Sequence, residues 1–225
     1  MKNTFVLITI ILGFISCAYK TENNDTTSDP ETTNKHVQKI GKDSIGLPNK
    51  YLYKDVDNDS VIDTVYVDSI KSAIVCKLST YNFKEITSKP IDILNDQSGI
   101  NETINGFEFF NDWMRSGYKN QFRFNQKTRK IQLIGMSRYE FGNAANDGSG
   151  ESSVNLLSGD YIGNWNYFDY KANNENGELI KIPTIKAKMK FKVINLEDFS
   201  DEIYFDFAEK CSELFYKQKE IKMKK

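Results

Sequence analysis

The sequence predicts a mainly β domain, a β-rich α+β fold in which an antiparallel meander or sandwich-like sheet carries one C-terminal helix. Three observations predict it. Apolar and polar residues alternate in short runs, as at Phe122 and Phe124, and this period of two is typical of half-buried antiparallel strands. Polar turns separate the runs by only a few residues, which favours hairpins over helical crossovers. Only near the C-terminus does the apolar period become helical.

Eight segments follow the strand pattern, and turns rich in Asn, Gly, Asp and Ser lie between them. The last segment contains Pro183. No repeat of about 20–50 residues is visible, so a full propeller or a solenoid is not expected. The predicted strands are 61–68, 72–80, 106–111, 119–125, 130–139, 152–157, 161–170 and 179–193.

The C-terminal segment predicts one helix over residues 200–220, packed on the sheet. Ile203, Phe207 and Cys211 recur at helical spacing. Ser200 precedes the acidic pair Asp201 and Glu202. A serine followed by carboxylates in the first turn is typical of a helix N-terminus.

The first residues have the features of a secretory signal. Lys2 gives a positive start, and the segment from Phe5 to Ile15 is almost entirely apolar. As a helix this run would measure about 16 Å, which is too short for a bilayer core of about 30 Å. A positive start, a short apolar run and a small residue before the cut predict a signal peptide over residues 1–16.

The end of that run, Phe14-Ile15-Ser16-Cys17, resembles the lipobox of bacterial lipoproteins, although Phe14 stands where leucine is usual. The resemblance implies that Cys17 becomes the lipidated first residue of the mature chain. Several acyl chains would hold the protein firmly in a membrane. Ala18 in place of aspartate implies sorting to the outer membrane, so we expect a lipid-anchored protein of the cell envelope. An ordinary signal peptide with an incidental cysteine is the alternative.

Residues 17–36 are predicted to be the lipidated cysteine followed by a disordered tether. Beyond Tyr19 this stretch has no aromatic residue, and from position 19 it has no aliphatic one. Such a segment cannot bury enough apolar surface to offset the entropy lost on ordering. The remaining residues, 37–225, are predicted to form a single β-rich globular domain.

The charge balance gives no footprint for nucleic acid. The chain has 30 basic and 31 acidic residues, a net charge of −1. Removal of residues 1–16 would take away only one charged residue, Lys2. A basic patch or stripe of the kind that binds phosphate backbones is therefore not expected. The partners that remain are a membrane, reached through the N-terminal lipid, and a protein or glycan ligand; the oligomeric state is open.

Two cysteines, Cys76 and Cys211, would remain in an oxidising compartment after lipidation of Cys17. Each lies in an apolar pattern, Cys76 between Ile74 and Leu78. They could form a disulfide, or they could be two buried free thiols. The distance between them decides, and sequence does not give it.

The sharpest chemical signal is the segment from Asp55 to Asp63, DVDNDSVID. Carboxylates at positions 1, 3, 5 and 9 would repel one another without a cation, and Ca²⁺ takes six to eight oxygen ligands. The predicted ligands are Asp55, Asp57, Asp59, Asp63 and the carbonyl of Val61 at position 7. An acidic turn that faces water is the alternative.

The segment resembles EF-hand loops and, more closely, the D-x-D-x-D-x-x-x-D loops of FG-GAP and VCBS modules, which also lead into a strand. The rest of the domain looks like β-rich bacterial lipoproteins that carry such a loop. Two positions depart from the EF-hand pattern: Ser60 replaces the turn glycine, and Tyr66 replaces the bidentate glutamate. The resemblance implies a structural Ca²⁺ of low affinity, about 10⁻⁴–10⁻³ M.

Several kinds of catalysis are excluded for the predicted domain. His36, the only histidine, lies in the predicted tether, so the domain has no histidine for a catalytic triad or a zinc site. Cys76 is expected to face the core, which argues against a thiolate nucleophile. The chain has no G-x-S-x-G elbow, P-loop or G-x-G-x-x-G motif.

These observations predict a non-catalytic module that binds a protein or a glycan, with calcium stabilising a loop. The alternative is an envelope hydrolase of glycosidase type that uses a carboxylate pair. Its candidate residues are Glu108, Asp112, Glu140 and Asp169, near Trp113, Tyr139 and Trp165. The binding module would contact its ligand through exposed aromatic residues, namely Trp113, Trp165, Tyr167 and Tyr170.

Overall fold

The computed structural model describes residues 48–224. The predicted signal peptide 1–16, Cys17 and the tether 17–36 lie outside the described residues. Two antiparallel sheets and one C-terminal helix make up the described part of the chain. The predicted mainly β class is confirmed.

The smaller sheet has four strands in the order β1–β2–β3–β4, and all neighbouring strands are antiparallel. Its inner face buries Leu52, Val65 and Ile74. A short 3-10 turn, Ser79–Tyr81, follows the third strand. The strands are β1 (Tyr51–Lys54), β2 (Asp63–Asp68), β3 (Ala73–Lys77) and β4 (Glu85–Thr87).

The larger sheet has eight strands, and its path runs β11–β10–β9–β8–β7–β6–β5. Strands β11 and β12 both pair with the same edge of β10. Strand β11 pairs with residues 166–169 of β10, and β12 pairs with residues 160–163 of β10. Pro183 lies between these two short strands because proline cannot donate a ladder hydrogen bond. The strands are β5 (Ser98–Thr103), β6 (Gly106–Asp112), β7 (Ser116–Asn125), β8 (Lys130–Glu140), β9 (Gly150–Asn155), β10 (Asp160–Asp169), β11 (Glu178–Lys181) and β12 (Ile185–Lys188).

The C-terminal helix, α1, spans Asp201–Met223 and confirms the helix predicted over residues 200–220. Ser200 occupies the N-cap position with extended backbone angles, but its side chain makes no capping hydrogen bond. The buried face of α1 packs on the larger sheet, where the Phe215 ring meets Trp165 edge-on at 6.2 Å. Among residues 48–224, no helix combines the length and the apolar composition that a membrane span needs.

An aromatic cluster fills the core near the start of α1. Phe199 is fully buried and meets the rings of Phe122 and Phe109 edge-on, at centroid distances of 5.3 and 6.3 Å. Its backbone carbonyl accepts a hydrogen bond from the Lys89 N–H at 2.9 Å, just beyond the smaller sheet. Phe199 therefore links the segment just before α1 to the larger sheet and to the segment that follows β4.

The outer face of the smaller sheet carries a compact charge cluster around Glu85. The Glu85 carboxylate lies 2.6 Å from Lys71 Nζ and 3.1 Å from Lys77 Nζ. It also accepts a hydrogen bond from the Tyr66 hydroxyl at 3.3 Å. These hydrogen bonds from Lys71 and Lys77 lower the pKa of Glu85 from 4.5 to about 2.

We expect the substitution Glu85→Gln to remove a pH-dependent part of the stability. Because the pKa is lowered in the folded protein, the contribution of Glu85 is present above its ordinary pKa and is lost as the pH falls from 4.5 toward about 2. Urea unfolding should therefore find the wild type more stable than the variant at neutral pH, with the difference closing in acid. An unchanged difference across this range would contradict the prediction; Glu175→Gln, at an exposed turn, is the control.

Candidate metal centre

The acidic loop connects β1 to β2 and brings three carboxylates together. One oxygen from each of Asp55, Asp57 and Asp63 lies within 4.8 Å of the others. Asp55 begins the loop, and Asp63 is the first residue of β2, paired across the sheet with Lys54. The hairpin therefore returns the chain to its starting point, so that residues eight apart face one site.

Asp63 forms the floor of the site. It is fully buried, and its two carboxylate oxygens accept hydrogen bonds from the N–H groups of Val56 and Ser79, both at 2.8 Å. Burial raises the pKa of Asp63 above its ordinary value, and these two N–H groups oppose that rise. The carboxylate is thus fixed in position by one N–H group of the loop and one of the 3-10 turn after β3.

Asp55 holds the turn of the loop. Its carboxylate accepts hydrogen bonds from the backbone N–H groups of Asp59 at 3.1 Å and Ser60 at 2.9 Å. Ser60 has a φ of 72°, in the left-handed region that glycine adopts most easily. A serine at this position of the loop therefore costs more backbone strain than a glycine would.

Asp57 is the unusual member of the cluster. Its residue exposure is only 3%, yet neither carboxylate oxygen has a hydrogen-bond partner among residues 48–224. Its backbone carbonyl, by contrast, accepts a hydrogen bond from Gln126 Nε2 at 2.6 Å. A buried carboxylate without a donor or a cation is costly, so this arrangement calls for a positive charge beside it.

Asp59 and Val61, also predicted as ligands, are placed differently. The Asp59 carboxylate is outside the cluster of three: it accepts hydrogen bonds from the Ser79 hydroxyl and from the Val61 N–H, the latter at 2.8 Å. The Ser79 hydrogen bond lowers the pKa of Asp59. The Val61 side chain is exposed, and its carbonyl remains a predicted ligand.

The three clustered carboxylates can hold a metal ion. Carboxylate oxygens are hard ligands and suit hard divalent cations better than soft metals. Asp55 and Asp63 are preorganised by backbone hydrogen bonds, and Asp57 is free to coordinate. Sequence spacing alone found these three residues.

Two of the predicted contact residues, Trp165 and Tyr167, are not exposed: their exposures are 3% and 2%. Both occupy the positions of β10 that face α1, and Lys219 Nζ from the helix lies 5.5 Å from the Tyr167 ring centre. The prediction that these two side chains are exposed was therefore wrong. Tyr170 is exposed, whereas Trp113 is partly buried against Tyr118 and Tyr204.

Cys76 and Cys211 are both buried free thiols, the second of the two predicted alternatives, and they form no disulfide in the structure. Burial raises the pKa of each thiol, that of Cys76 well above its ordinary value. The Cys211 sulfur lies 3.4 Å from the Ser152 hydroxyl oxygen. Neither cysteine has the exposed, electropositive surroundings that produce a reactive thiolate.

The carboxylates predicted for hydrolysis are divided between different settings. Asp112 and Glu140 both line a groove of about 960 Å³ on the larger sheet, but the Glu140 carboxylate is ion-paired with Arg138. Glu108 lies 3.6 Å from Lys119 Nζ. Asp169 accepts a hydrogen bond from the Lys171 N–H at 3.0 Å and is not part of the groove lining.

No protein-family model matches the chain, and neither a curated protein nor a solved structure matches it. Function therefore has to be inferred from the chemistry of the site and not from likeness of fold.

Proposed function

We propose that this chain is a lipid-anchored module of the bacterial cell envelope that binds a protein or glycan ligand without catalysis. Its β1–β2 loop binds a structural Ca²⁺. The lipobox-like segment ending at Cys17 supports the anchor, and Ala18 supports the outer-membrane location. The cluster of Asp55, Asp57 and Asp63 supports the metal. An envelope protein would meet extracellular calcium, which suits a loop of low affinity.

The buried, unpartnered carboxylate of Asp57 carries the metal proposal. A water-facing acidic turn would leave this side chain in solvent, but Asp57 is 3% exposed. Ca²⁺ accepts six to eight oxygens in flexible geometry, whereas Mg²⁺ demands near-ideal octahedral coordination and retains its waters. An irregular loop that offers three carboxylates and nearby carbonyls fits the larger ion better.

A structural role for the ion is supported by how its ligands are held. Both oxygens of Asp63 and both oxygens of Asp55 accept backbone hydrogen bonds, so these groups are fixed by the fold and not poised for proton transfer. Through the Gln126 bond to the Asp57 carbonyl, the loop also contacts the turn between β7 and β8. An ion here would stabilise the loop and this contact together.

Calcium is expected to raise the melting temperature of the purified domain, and Asp57→Asn is expected to abolish the shift. An ion that binds only the folded state stabilises it by RT ln(1 + [L]/Kd), about 2.7 kcal/mol when the ion is at about 100 times Kd. The measurement is a thermal scan in Ca²⁺ and in chelator. The chelated variant should melt no lower than the chelated wild type, because the amide removes an unpaired buried charge.

Asp92→Asn is the matched control, because Asp92 is an exposed aspartate outside the loop. This variant should keep the full calcium shift. A wild type that melts at the same temperature with calcium and with chelator would refute the metal site, as would an unchanged shift in Asp57→Asn. A larger shift with Mg²⁺ than with Ca²⁺ would refute the identity of the ion.

A further inference from the structure

The groove of about 960 Å³ lies on the face of the larger sheet opposite α1, across strands β7 to β10. Two cross-strand rows of side chains form its floor. Tyr139, Glu151 and Asn164 stand side by side in one row. Lys119, Ser137, Ser153 and Ile162 form the next row.

Tyr139 lies across the floor of this groove in the space left open by Gly117, its direct partner on β7. A Cβ atom added at Gly117 would clash with Asp112 Oδ1 and would lie 2.6 Å from a Tyr139 ring carbon and 2.8 Å from the Tyr139 hydroxyl. The ring therefore covers the space that any other residue at position 117 would fill. The Tyr139 hydroxyl donates a hydrogen bond to Asp112 Oδ1 at 3.1 Å, which fixes the ring.

The surroundings of Tyr139 are rich in hydroxyl and amide groups. Ser137 and Ser153 line the groove beside it. The Asn164 Oδ1 atom accepts a hydrogen bond from the Thr184 hydroxyl at 2.8 Å, which leaves its amide nitrogen without a partner among the described residues. Phe141, which is 51% exposed, also lines the groove, and its ring lies 5.5 Å from that of Tyr139. Aromatic rings beside hydroxyl and amide groups suit a ligand that is apolar on one face and hydroxylated at its edge.

The charges of the groove select among such ligands. Asp112 and Glu151 line it, and within residues 48–224 neither makes a salt bridge. The cations in the lining are occupied: Lys119 Nζ lies 3.6 Å from Glu108, and Arg138 is buried and ion-paired with Glu140. The excess of negative charge disfavours an anionic ligand and accepts a neutral or amino-bearing one.

The groove continues along the same face of the sheet. A second depression of about 400 Å³ shares Lys119, Ser137 and Ser153 with it. A third, of about 720 Å³, shares Gln121 and Arg123 with the second. Arg123 makes no salt bridge within residues 48–224, so the excess of negative charge belongs to the first groove and not to this extension. Connected depressions along one face suit an extended ligand better than a single compact molecule.

We propose that this groove binds an oligosaccharide with neutral or amino-bearing sugars, one of which stacks on Tyr139. The C–H bonds on one face of a sugar would pack on the negative face of the aromatic ring, while Ser137, Ser153 and Asn164 would bond its hydroxyl groups. This inference rests on the proposed binding function and chooses glycan over protein as the ligand class. The metal centre takes no part in it.

The test is isothermal titration of the full domain with a panel of hexasaccharides: cello-, manno- and chito-oligosaccharides, glucosamine oligomers and, as the anionic member, oligogalacturonate. At least one neutral or amino-bearing member is expected to bind, and oligogalacturonate is expected to bind more weakly because Asp112 and Glu151 repel its carboxylates. Tyr139→Ala should weaken binding about tenfold or more through loss of the aromatic contact. Gly117→Ala should do the same by pushing the ring out of place.

The matched control is Tyr53→Ala, an exposed tyrosine of the smaller sheet, which should leave binding unchanged; melting scans check that each variant is folded. The proposal is overturned if no sugar binds at millimolar concentration, if folded Tyr139→Ala binds as the wild type does, or if only a basic peptide binds. Repeating the titration in chelator separates the two proposals. If sugar binding persists and calcium does not change the melting temperature, the metal site is refuted and the sugar site is not. Shortened sugars after incubation would contradict the non-catalytic function.

Discussion

Replacing Phe199 by alanine is expected to lower the free energy of unfolding by about 3–5 kcal/mol, the range typical of deleting a buried aromatic ring. The side chain is fully buried and packs on Phe109 and Phe122. The loss would combine the transfer free energy of the ring with the cavity left between the sheet and the start of α1. These neighbours belong to strands, so the site can collapse only in part.

Urea unfolding followed by far-ultraviolet circular dichroism measures this loss. Phe205→Ala is the matched control, because Phe205 is also a phenylalanine and lies on α1, which begins two residues after Phe199, but it is 46% exposed. The control should change the free energy of unfolding by much less. Equal effects of the two substitutions would show that Phe199 is not the centre of this part of the core.

The second large effect is expected at Asp201, which begins α1 and is 5% exposed. Its carboxylate accepts hydrogen bonds from the Tyr118 hydroxyl at 3.0 Å and the Ile93 N–H at 3.1 Å. Burial raises the pKa of Tyr118, so this hydroxyl stays protonated and donates. Asp201→Ala would leave the buried Tyr118 hydroxyl and the partly buried Ile93 N–H without this acceptor, and we expect the free energy of unfolding to fall by about 2–4 kcal/mol.

Glu202→Ala provides a stringent control for Asp201→Ala. Glu202 carries the same charge in the same first turn of α1 but is exposed, so it shares only the favourable interaction with the helix dipole. Tyr118→Phe combined with Asp201→Ala in a double-mutant cycle isolates the hydrogen bond between the two side chains. Additive losses in that cycle would show that this bond contributes little to stability.

The sequence predicted most strands of the larger sheet because their alternation is strong. In β7, Phe122 and Phe124 are buried and Arg123 between them is exposed. The helix was predicted for the same reason, since Tyr204, Phe207, Cys211 and Phe215 are its buried apolar residues. In both cases local sequence and tertiary burial agree.

Three strands, β1, β4 and β5, were missed, and each lacks that agreement. Strand β1 buries only Leu52, and β4 has three residues and none fully buried. Strand β5, with the sequence SGINET, has the composition of a loop. These strands form because longer neighbours offer free edges, and a pairing partner distant in sequence gives no local signal.

The burial of Trp165 and Tyr167 could have been anticipated from the chain. Tyr161, Trp165 and Tyr167 share one parity along β10, and a helix with an apolar face must pack on some strand. The prediction considered that these residues are aromatic, but not which face of the strand each of them occupies. For Tyr139 the missing signal was Gly117, whose pairing with it depends on the register of β7 and β8.

At the metal centre, spacing identified Asp55, Asp57 and Asp63 but could not identify which of the carboxylates is buried. Gln126, which bonds the Asp57 carbonyl, is 69 residues away along the chain. Asp59 is not one of the three clustered carboxylates, and its carboxylate accepts a hydrogen bond from the hydroxyl of Ser79, 20 residues further on. Partners this distant are fixed by the tertiary fold.

The division of the last predicted strand into β11 and β12 bears on how the protein behaves at high concentration. A long, uninterrupted outer strand would offer neighbouring molecules a row of free amide and carbonyl groups, and so a template for aggregation. Here that border is two four-residue pieces interrupted by Pro183. Each of the two short strands also carries exposed charged residues, which disfavour the addition of a strand from another copy. These residues are Glu178, Lys181, Lys186 and Lys188.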